Sequence, residues 1–243
     1  RLNDRLEERF ANDPEARDRA QQDMAEFERR AARQNPPLSQ EEIAKTYDQV
    51  SKLLESTGEQ PVSQADRAKL AEQVLHQAAH PNEVRQGSDG TCNVSSVENR
   101  IYNRDPSAAA RVVTEAATTG QVTMADGRVV QVPAASLVPD TQGIHHPSPD
   151  GERSHASQIF QVVAVNDRYD RQNRSTTPPG QIRYEQDTPT GPNDTGERLW
   201  DYSTTPRQPA TDAAGNPLSP PGIPTGELQN ISNDITGKTE SGF

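Results

Sequence analysis

The hydrophobic pattern of this chain changes its period near residue 120. Before that point apolar residues recur three and four positions apart, as at Val94, Val97 and Ile101, which predicts amphipathic helices. After it they alternate, and the pair Asp126-Gly127 separates two alternating segments as a hairpin turn would. Helices followed by strands are typical of an α+β fold, in which helices pack against a small antiparallel sheet.

Residues 1–80 carry three helical patterns. An apolar stripe runs through residues 1–34 and is broken at Pro36-Pro37. Ser39 opens a capping box for a second helix, and Ser63 caps a third. We therefore predict a helical extension over residues 1–80. The charged face of its first 34 residues is either solvated or a docking surface for a protein partner.

Residues 81–203 carry the strand signals, and we predict that they form the α+β core of the protein. The strongest apolar strand pattern covers residues 158–165, directly after a Pro-rich loop. Two further candidate strands cover residues 181–185 and 197–202. Together with the Asp126-Gly127 hairpin, these segments would supply the small antiparallel sheet.

Residues 204–243 are rich in Pro, Gly, Asn, Thr and Ser, and we find no apolar periodicity in them. Only 30% of the chain is apolar, so the compact core is expected to be smaller than the chain. A segment that buries little apolar surface does not offset the entropy of ordering it. We predict a disordered tail or linker over residues 204–243.

The net charge of the chain indicates which classes of partner to expect. Its 25 basic and 36 acidic residues give a net charge of -11, without a basic cluster, so we expect neither nucleic acid nor a membrane as partner. No apolar run reaches the roughly 20 residues of a membrane span, and we expect no signal peptide in the residues given. Because the first residue is Arg1, we expect a piece of a longer protein and assign it no compartment.

Cys92 is the only cysteine of the chain, which excludes an internal disulfide. It follows a glycine-rich run at residues 86–91 and precedes a helical pattern, so we expect it at the N-terminus of a helix. The positive end of the helix dipole and the unpaired N–H groups there favour a thiolate. Nucleophilic catalysis is the first hypothesis, and a small buried apolar side chain is the alternative.

A thiol nucleophile needs a base and donors for the developing oxyanion. His155 directly precedes the strand predicted at residues 158–165, so we expect it on a rigid edge and assign it as the base. Gln86, six residues before Cys92, is the candidate that would place its amide beside the Cys92 backbone N–H.

The run Gln86-Gly87-Ser88-Asp89-Gly90-Thr91-Cys92-Asn93 resembles the nucleophile segment of the papain-like cysteine peptidases, which commonly reads Gln-Gly-x-Cys-Gly-Ser-Cys-Trp. His155-Ala156 is similar to the His-Ala pair that opens the strand bearing the base of that family. The resemblance implies a nucleophile helix packed on an antiparallel sheet, with Gln86 in the oxyanion hole. Asp89 and Asn93 depart from the family pattern, and Cys92 and His155 are separated by about half of the ~130 to 150 residues typical of it.

The same resemblance implies an Asn or Asp that orients the base from a neighbouring strand and is shielded by a Trp. Asp201 follows Trp200 in the strand predicted at residues 197–202 and fits this description best, with Asp187 second. Asn166 ranks third. If the chain ran as a straight strand from His155, Asn166 would lie too far from the imidazole to orient it.

His76 and His80 lie one helical turn apart, as in zinc-binding helices. Gln77 stands where the metalloprotease pattern requires a glutamate, and we find no third ligand in the sequence. We therefore predict neither a metal nor another cofactor. The pair His145-His146 lies in a Pro-rich loop and is expected to be solvated.

We predict from these observations a thiol enzyme that acts on amide bonds of a protein or peptide through a thioester intermediate. Peptide hydrolysis is the default reaction, and glutamine deamidation or transglutamination uses the same chemistry. A noncatalytic acidic adaptor is the other hypothesis. It predicts a function that survives the loss of Cys92 and His155.

Overall fold

The computed structural model describes residues 2–55, 58–87, 91–139, 153–187, 196–220 and 222–239. The fold is α+β, as predicted, and within the described residues it has eight α-helices and two antiparallel sheets. None of the described helices combines the length and the apolar character needed to cross a bilayer. The helices are α1 Leu2–Arg9, α2 Pro14–Arg33, α3 Gln40–Glu55, α4 Gln64–Ala79, α5 Cys92–Arg104, α6 Pro106–Thr119, α7 His155–Arg174 and α8 Thr225–Thr236. The strands are β1 Gln121–Thr123, β2 Val129–Gln131, β3 Ile182–Gln186, β4 Glu197–Asp201 and β5 Gln208–Pro209.

Side-chain caps begin the N-terminal helices where the sequence predicts them. The Ser63 hydroxyl accepts the backbone N–H of Asp66 at the start of α4, and the Ser39 hydroxyl accepts that of Glu42 at the start of α3. Each cap satisfies an N–H that has no partner within its own helix. Gly120, with a φ of 73°, ends α6 in the left-handed conformation that glycine adopts without strain.

One hydrophobic core runs through the molecule, from Leu2 in α1 to Ile235 in α8. Helix α6 contributes Val112, Val113 and Ala116, which are fully buried. Helix α3 packs on α6, α2 packs on α4, and α4 also contacts α6 and α7. The N-terminal helices therefore share their apolar surface with the rest of the fold.

The predicted hairpin is confirmed, but its turn is longer than a two-residue type I′ turn. Strands β1 and β2 are antiparallel, with Val122 opposite Val130 and Thr123 opposite Val129. Residues 124–128 connect them, and Gly127, with a φ of 85°, is the only one of these with positive φ. The strands predicted near residues 181–185 and 197–202 are also confirmed, as β3 and β4.

The strand predicted at residues 158–165 is wrong, because these residues lie within helix α7. The Ser154 hydroxyl caps this helix by accepting the Ser157 N–H at 3.0 Å. Helices α4, α5, α6 and α8 and strand β3 all contact α7. A helix that is packed on every side has no exposed polar face, so its sequence lacks the periodicity that distinguishes a helix from a buried strand.

The packing of α5 also differs from the expectation of a nucleophile helix on the sheet. Helix α5, which begins at Cys92, packs mainly on α6, α7 and α8. The three-stranded sheet, in the order β3-β4-β5, packs on α7 through β3. Helix α7 therefore lies between α5 and the sheet.

The tail predicted over residues 204–243 contains regular structure. Strand β5 pairs with β4, and helix α8 buries Leu228, Ile231 and Ile235 against the core. These three residues have helical spacing, but the pattern is short and lies in a segment rich in Gly, Pro and Asn. Burial against α5, α6 and α7 supplies the stabilisation that such a short pattern lacks by itself.

Candidate active site

Cys92 is the first residue of α5, as the sequence predicts. Its side chain and residues 88–90 lie outside the described part of the chain. The side chain of Thr91, the preceding residue, makes no capping hydrogen bond to α5. It donates instead to Gln161 Oε1 of α7 at 2.6 Å. The Thr91 hydroxyl therefore does not occupy the N–H groups at the start of the Cys92 helix.

The segments that carry Gln86 and Cys92 meet at the side chain of Gln161. Gln161 Oε1 accepts the hydrogen bond from Thr91, and Gln161 Nε2 donates to the Arg85 carbonyl oxygen at 3.1 Å. Gln86 is partly exposed and directly follows Arg85. The fold thus brings together the chain segments of the predicted nucleophile and the predicted oxyanion donor.

Glu98 lies below this junction, one and a half to two turns further along α5, and is fully buried. Its carboxylate accepts from the Ser157 hydroxyl at 2.7 Å and from Gln161 Nε2 at 3.0 Å. Burial raises the pKa of Glu98 to about 7, against the opposing effects of these two hydrogen bonds and of the charge on Arg153. The carboxyl group therefore changes its protonation state near neutral pH.

Arg153 supplies a buried cation beside the same junction. Only 1% of its surface is exposed to solvent. The guanidinium donates to Gln161 Oε1 at 3.4 Å and to Gln186 Oε1, at the end of β3, at 2.8 Å. Because arginine keeps its charge when buried, this end of α7 holds a permanent positive charge. A positive charge and a helix N-terminus both favour an anion between them.

His155 is the first residue of α7 and is buried. Its Nε2–H donates to the Leu137 carbonyl oxygen at 3.0 Å, in the short 3-10 turn formed by residues 134–137. Gln161 lies six residues further along α7, about 9 Å along the axis and about 120° around it. The imidazole and the Thr91 side chain therefore contact different sides of α7.

The fold does not bring Asp201 to His155. Asp201 pairs with Ile182 in the sheet, and the Ile182 carbonyl oxygen accepts from Asn173, near the C-terminal end of α7. His155 is at the other end of this helix, about 27 Å away along its axis. The carboxylate of Asp201 accepts the backbone N–H of Ser203 at 2.8 Å.

The two other candidates for the orienting residue differ in position. Asp187 directly follows Gln186, at the end of β3 that Arg153 contacts, and so lies on the His155 side of the sheet. Asn166 is buried in α7, where its amide bonds both the N–H and the carbonyl oxygen of Tyr184. These bonds give Asn166 a role in holding the sheet.

Glu98, Gln161 and Arg153 are not among the site residues predicted from the sequence. For Glu98 there was a signal, since it lies four residues after Val94 and three before Ile101, on the apolar face of α5. A carboxylate in that position indicates a buried polar site. Gln161 and Arg153 gave no comparable signal, because their partners come from segments that only the tertiary structure brings to α7.

A second polar cluster lies where α4 ends. Asp23 of α2 contacts both His76 and His80, so the third candidate metal ligand, which the sequence analysis did not find, comes from another helix. Although burial lowers the pKa of His76, the hydrogen bonds and negative charges of Asp23 and Glu83 together raise it above its usual value. The pair His145-His146 lies outside the described residues.

No protein-family model, curated protein or solved structure matches this chain. Its chemistry is therefore inferred from the residues and contacts described above.

Proposed function

We propose that this chain is a thiol enzyme that acts on amide bonds of a protein or peptide, in the manner of the papain-like cysteine peptidases. The observation that carries the proposal is the start of α5. Cys92 is the first residue of this helix, and the Thr91 side chain turns away from the helix N–H groups to Gln161. Such a position favours a thiolate and provides N–H donors for an anion.

The proposed reaction follows from these groups. The Cys92 thiolate attacks the amide carbonyl carbon and forms a tetrahedral oxyanion, which the Cys92 N–H and the Gln86 amide stabilise. The C–N bond then breaks, the amine leaves with a proton, and the acyl group remains on sulfur as a thioester. Water hydrolyses the thioester and regenerates the thiol. The convergence of the Arg85 and Thr91 segments on Gln161 supports the pairing of Gln86 with Cys92.

His155 is the proposed base. Its Nε2–H is bonded to the Leu137 carbonyl oxygen, which fixes the orientation of the ring, and the family resemblance gives the imidazole the role of accepting the thiol proton. Arg153 and Thr91 both donate a hydrogen bond to Gln161 Oε1. The Arg153 guanidinium is therefore a positive group, in addition to the N-terminus of α5, that can stabilise the thiolate. Because His155 and Thr91 contact different sides of α7, the contribution of the imidazole is tested separately from the reactivity of the thiol.

The test is the pH dependence of alkylation of Cys92 by iodoacetamide, which has a single target in this chain. In the folded protein we expect the rate to reach half its maximum at least about one pH unit below 8.5, and in urea to return to about 8.5. His155→Ala should move the folded value toward 8.5. Gln131→Ala is the control, because its side chain is exposed on β2 and bonds Gln121 of β1.

A folded thiol that titrates near 8.5 would overturn the proposal. If the thiol is reactive, the parent protein is next exposed to activated peptide esters. We expect an acyl group on Cys92 by mass spectrometry, and none in Cys92→Ser. Hydrolysis, deamidation and transglutamination are then separated by whether water or an added amine accepts the acyl group.

A further inference from the structure

A group of metal-ligating side chains lies on the side of α4 that faces α2, apart from the Cys92 site. His76 is in the last turn of α4, and His80 follows at its C-terminal cap. Asp23 projects from the middle of α2, 53 residues before His76, and is buried. One nitrogen or oxygen atom from each of the three residues lies within 4.8 Å of the others.

The contacts of the two histidines to Asp23 have the spacing of ligands on one metal ion. His76 Nδ1 is 3.3 Å from both carboxylate oxygens of Asp23, and His80 Nε2 is 3.5 Å from Asp23 Oδ1. At 3.3 Å the contacts of His76 are hydrogen bonds slightly longer than the usual 2.7–3.2 Å. Two ligands that each bind a tetrahedral Zn²⁺ at about 2.1 Å are about 3.4 Å apart. Both contacts to Asp23 match this spacing, and the two histidine nitrogens, within 4.8 Å of each other, come together on one ion by rotation of the partly exposed rings.

Glu83 provides the outer support that metal-binding histidines usually have. It lies in the 3-10 turn of residues 81–83, next to the end of α4. Its carboxylate is 3.0 Å from His76 Nε2 and 4.0 Å from His80 Nδ1. On each histidine this is the ring nitrogen opposite to the one that faces Asp23. At 3.0 Å the carboxylate accepts the His76 Nε2–H, which fixes the tautomer of that ring and orients its Nδ1 toward Asp23, whereas at 4.0 Å it is only a neighbouring charge for His80.

The site is accessible from solvent but is anchored in the fold. The side chains of His76 and His80 are 20% and 35% exposed, whereas that of Asp23 is 10% exposed. The two rings are side by side, with centroids 4.8 Å apart. Both rings are open to solvent, so an ion can reach the three ligands without unfolding of the protein.

We propose that Asp23, His76 and His80 bind a Zn²⁺ ion, with Glu83 as the outer-shell carboxylate and water as the fourth ligand. Two histidines and one carboxylate with an open position are the ligand set of hydrolytic zinc sites. The ion ties α2 to the end of α4. It also fixes the turn of residues 81–83, from which the chain continues to Gln86.

The test uses the full chain, stripped of metal with a chelator and titrated with Zn²⁺ by calorimetry. We expect one ion per chain and a rise in the melting temperature as Zn²⁺ is added. His80→Ala and Asp23→Asn should weaken binding by at least about 100-fold, since loss of an outer-shell group alone costs up to about that much. Glu83→Gln should weaken it about 10- to 100-fold.

Two controls separate this site from other sources of binding. Asp48→Asn removes an exposed carboxylate from α3 and should leave the affinity unchanged. Cys92→Ser removes the only thiol and should also leave it unchanged. Circular dichroism confirms that each variant is folded, and the partly exposed His80 and the exposed Glu83 are the positions where substitution disturbs the core least. Absence of binding by the parent chain, or equal binding by His80→Ala, would overturn the proposal.

Discussion

Glu98 is the residue whose chemistry depends most on its surroundings. It is fully buried, yet its carboxylate is bonded only to the neutral groups of Ser157 and Gln161 among the hydrogen bonds described. The nearby charge of Arg153 opposes the effect of burial without cancelling it. The carboxyl is therefore held in its protonated form over a pH range in which an exposed glutamate is ionised.

This difference makes stability depend on pH. Because the pKa of Glu98 is about 7 in the folded chain and 4.5 when unfolded, its contribution is fully present below pH 4.5 and is lost as pH rises to about 7. The loss amounts to about 3 kcal/mol of unfolding free energy. Glu98→Gln, which mimics the protonated side chain, should remove this part of the decline. Urea unfolding at pH 5 and pH 8 measures it.

Glu59→Gln is the control for that experiment, because Glu59 is exposed and its substitution should leave the pH profile of the parent unchanged. A Glu98→Gln profile with the same decline as the parent would contradict the buried protonation of Glu98.

Among the secondary-structure elements, strand β3 shows how a helix can complete a sheet. Strand β3 is at the edge of its sheet, and the backbone groups on its outer side are bonded by side chains. Asn173 bonds the N–H and carbonyl oxygen of Ile182, Asn166 those of Tyr184, and Ser136 the N–H of Gln186. The side chains alternate along the strand as the hydrogen bonds of a further strand would.

We expect Asn166→Ala to lower the unfolding free energy by about 2–4 kcal/mol, because it leaves two buried backbone groups of Tyr184 without partners. Asn173→Ala is the matched control at the partly exposed end of the strand. Water can replace its amide there, so a loss of at most about 1.5 kcal/mol is expected. Equal losses in the two variants, measured by urea unfolding, would argue against the completion of the edge by Asn166.

In the whole molecule, the C-terminal helix α8 is joined to elements far away in sequence. Arg128 in the hairpin turn pairs with Asp234 of α8 at 2.6 Å and with Asp167 of α7 at 2.9 Å. Arg171 of α7 pairs with Asp167 and Asp234, and with Glu227 at 2.8 Å. Asp167 is buried beside these two guanidinium groups. Their positive charges offset part of the cost of removing its carboxylate from water. Helix α8 is thus part of the compact fold.

If α8 belongs to the same cooperative unit, a cavity in it weakens the whole fold. Ile231→Ala should lower the unfolding free energy by about 2–5 kcal/mol, since Ile231 is fully buried. The fluorescence of Trp200, the only tryptophan, reports on strand β4, whereas circular dichroism reports on the helices. Both transitions should move together to lower urea.

Asn230→Ala, at the neighbouring exposed position of α8, should change the unfolding free energy by less than about 0.5 kcal/mol. A Trp200 transition that stays in place in Ile231→Ala would show that α8 unfolds independently.

Local signals determined much of this protein. The α+β class, the caps at Ser39 and Ser63, the hairpin and the helical start at Cys92 follow from short-range spacing and turn chemistry, which act within a few residues. The tertiary structure decided the rest. Residues 158–165 form a helix because every side of it is packed, and α8 is helical because the core covers its short apolar stripe. Asp23 reaches His76, and Glu98 reaches Gln161, only through contacts between distant segments, which no local pattern encodes.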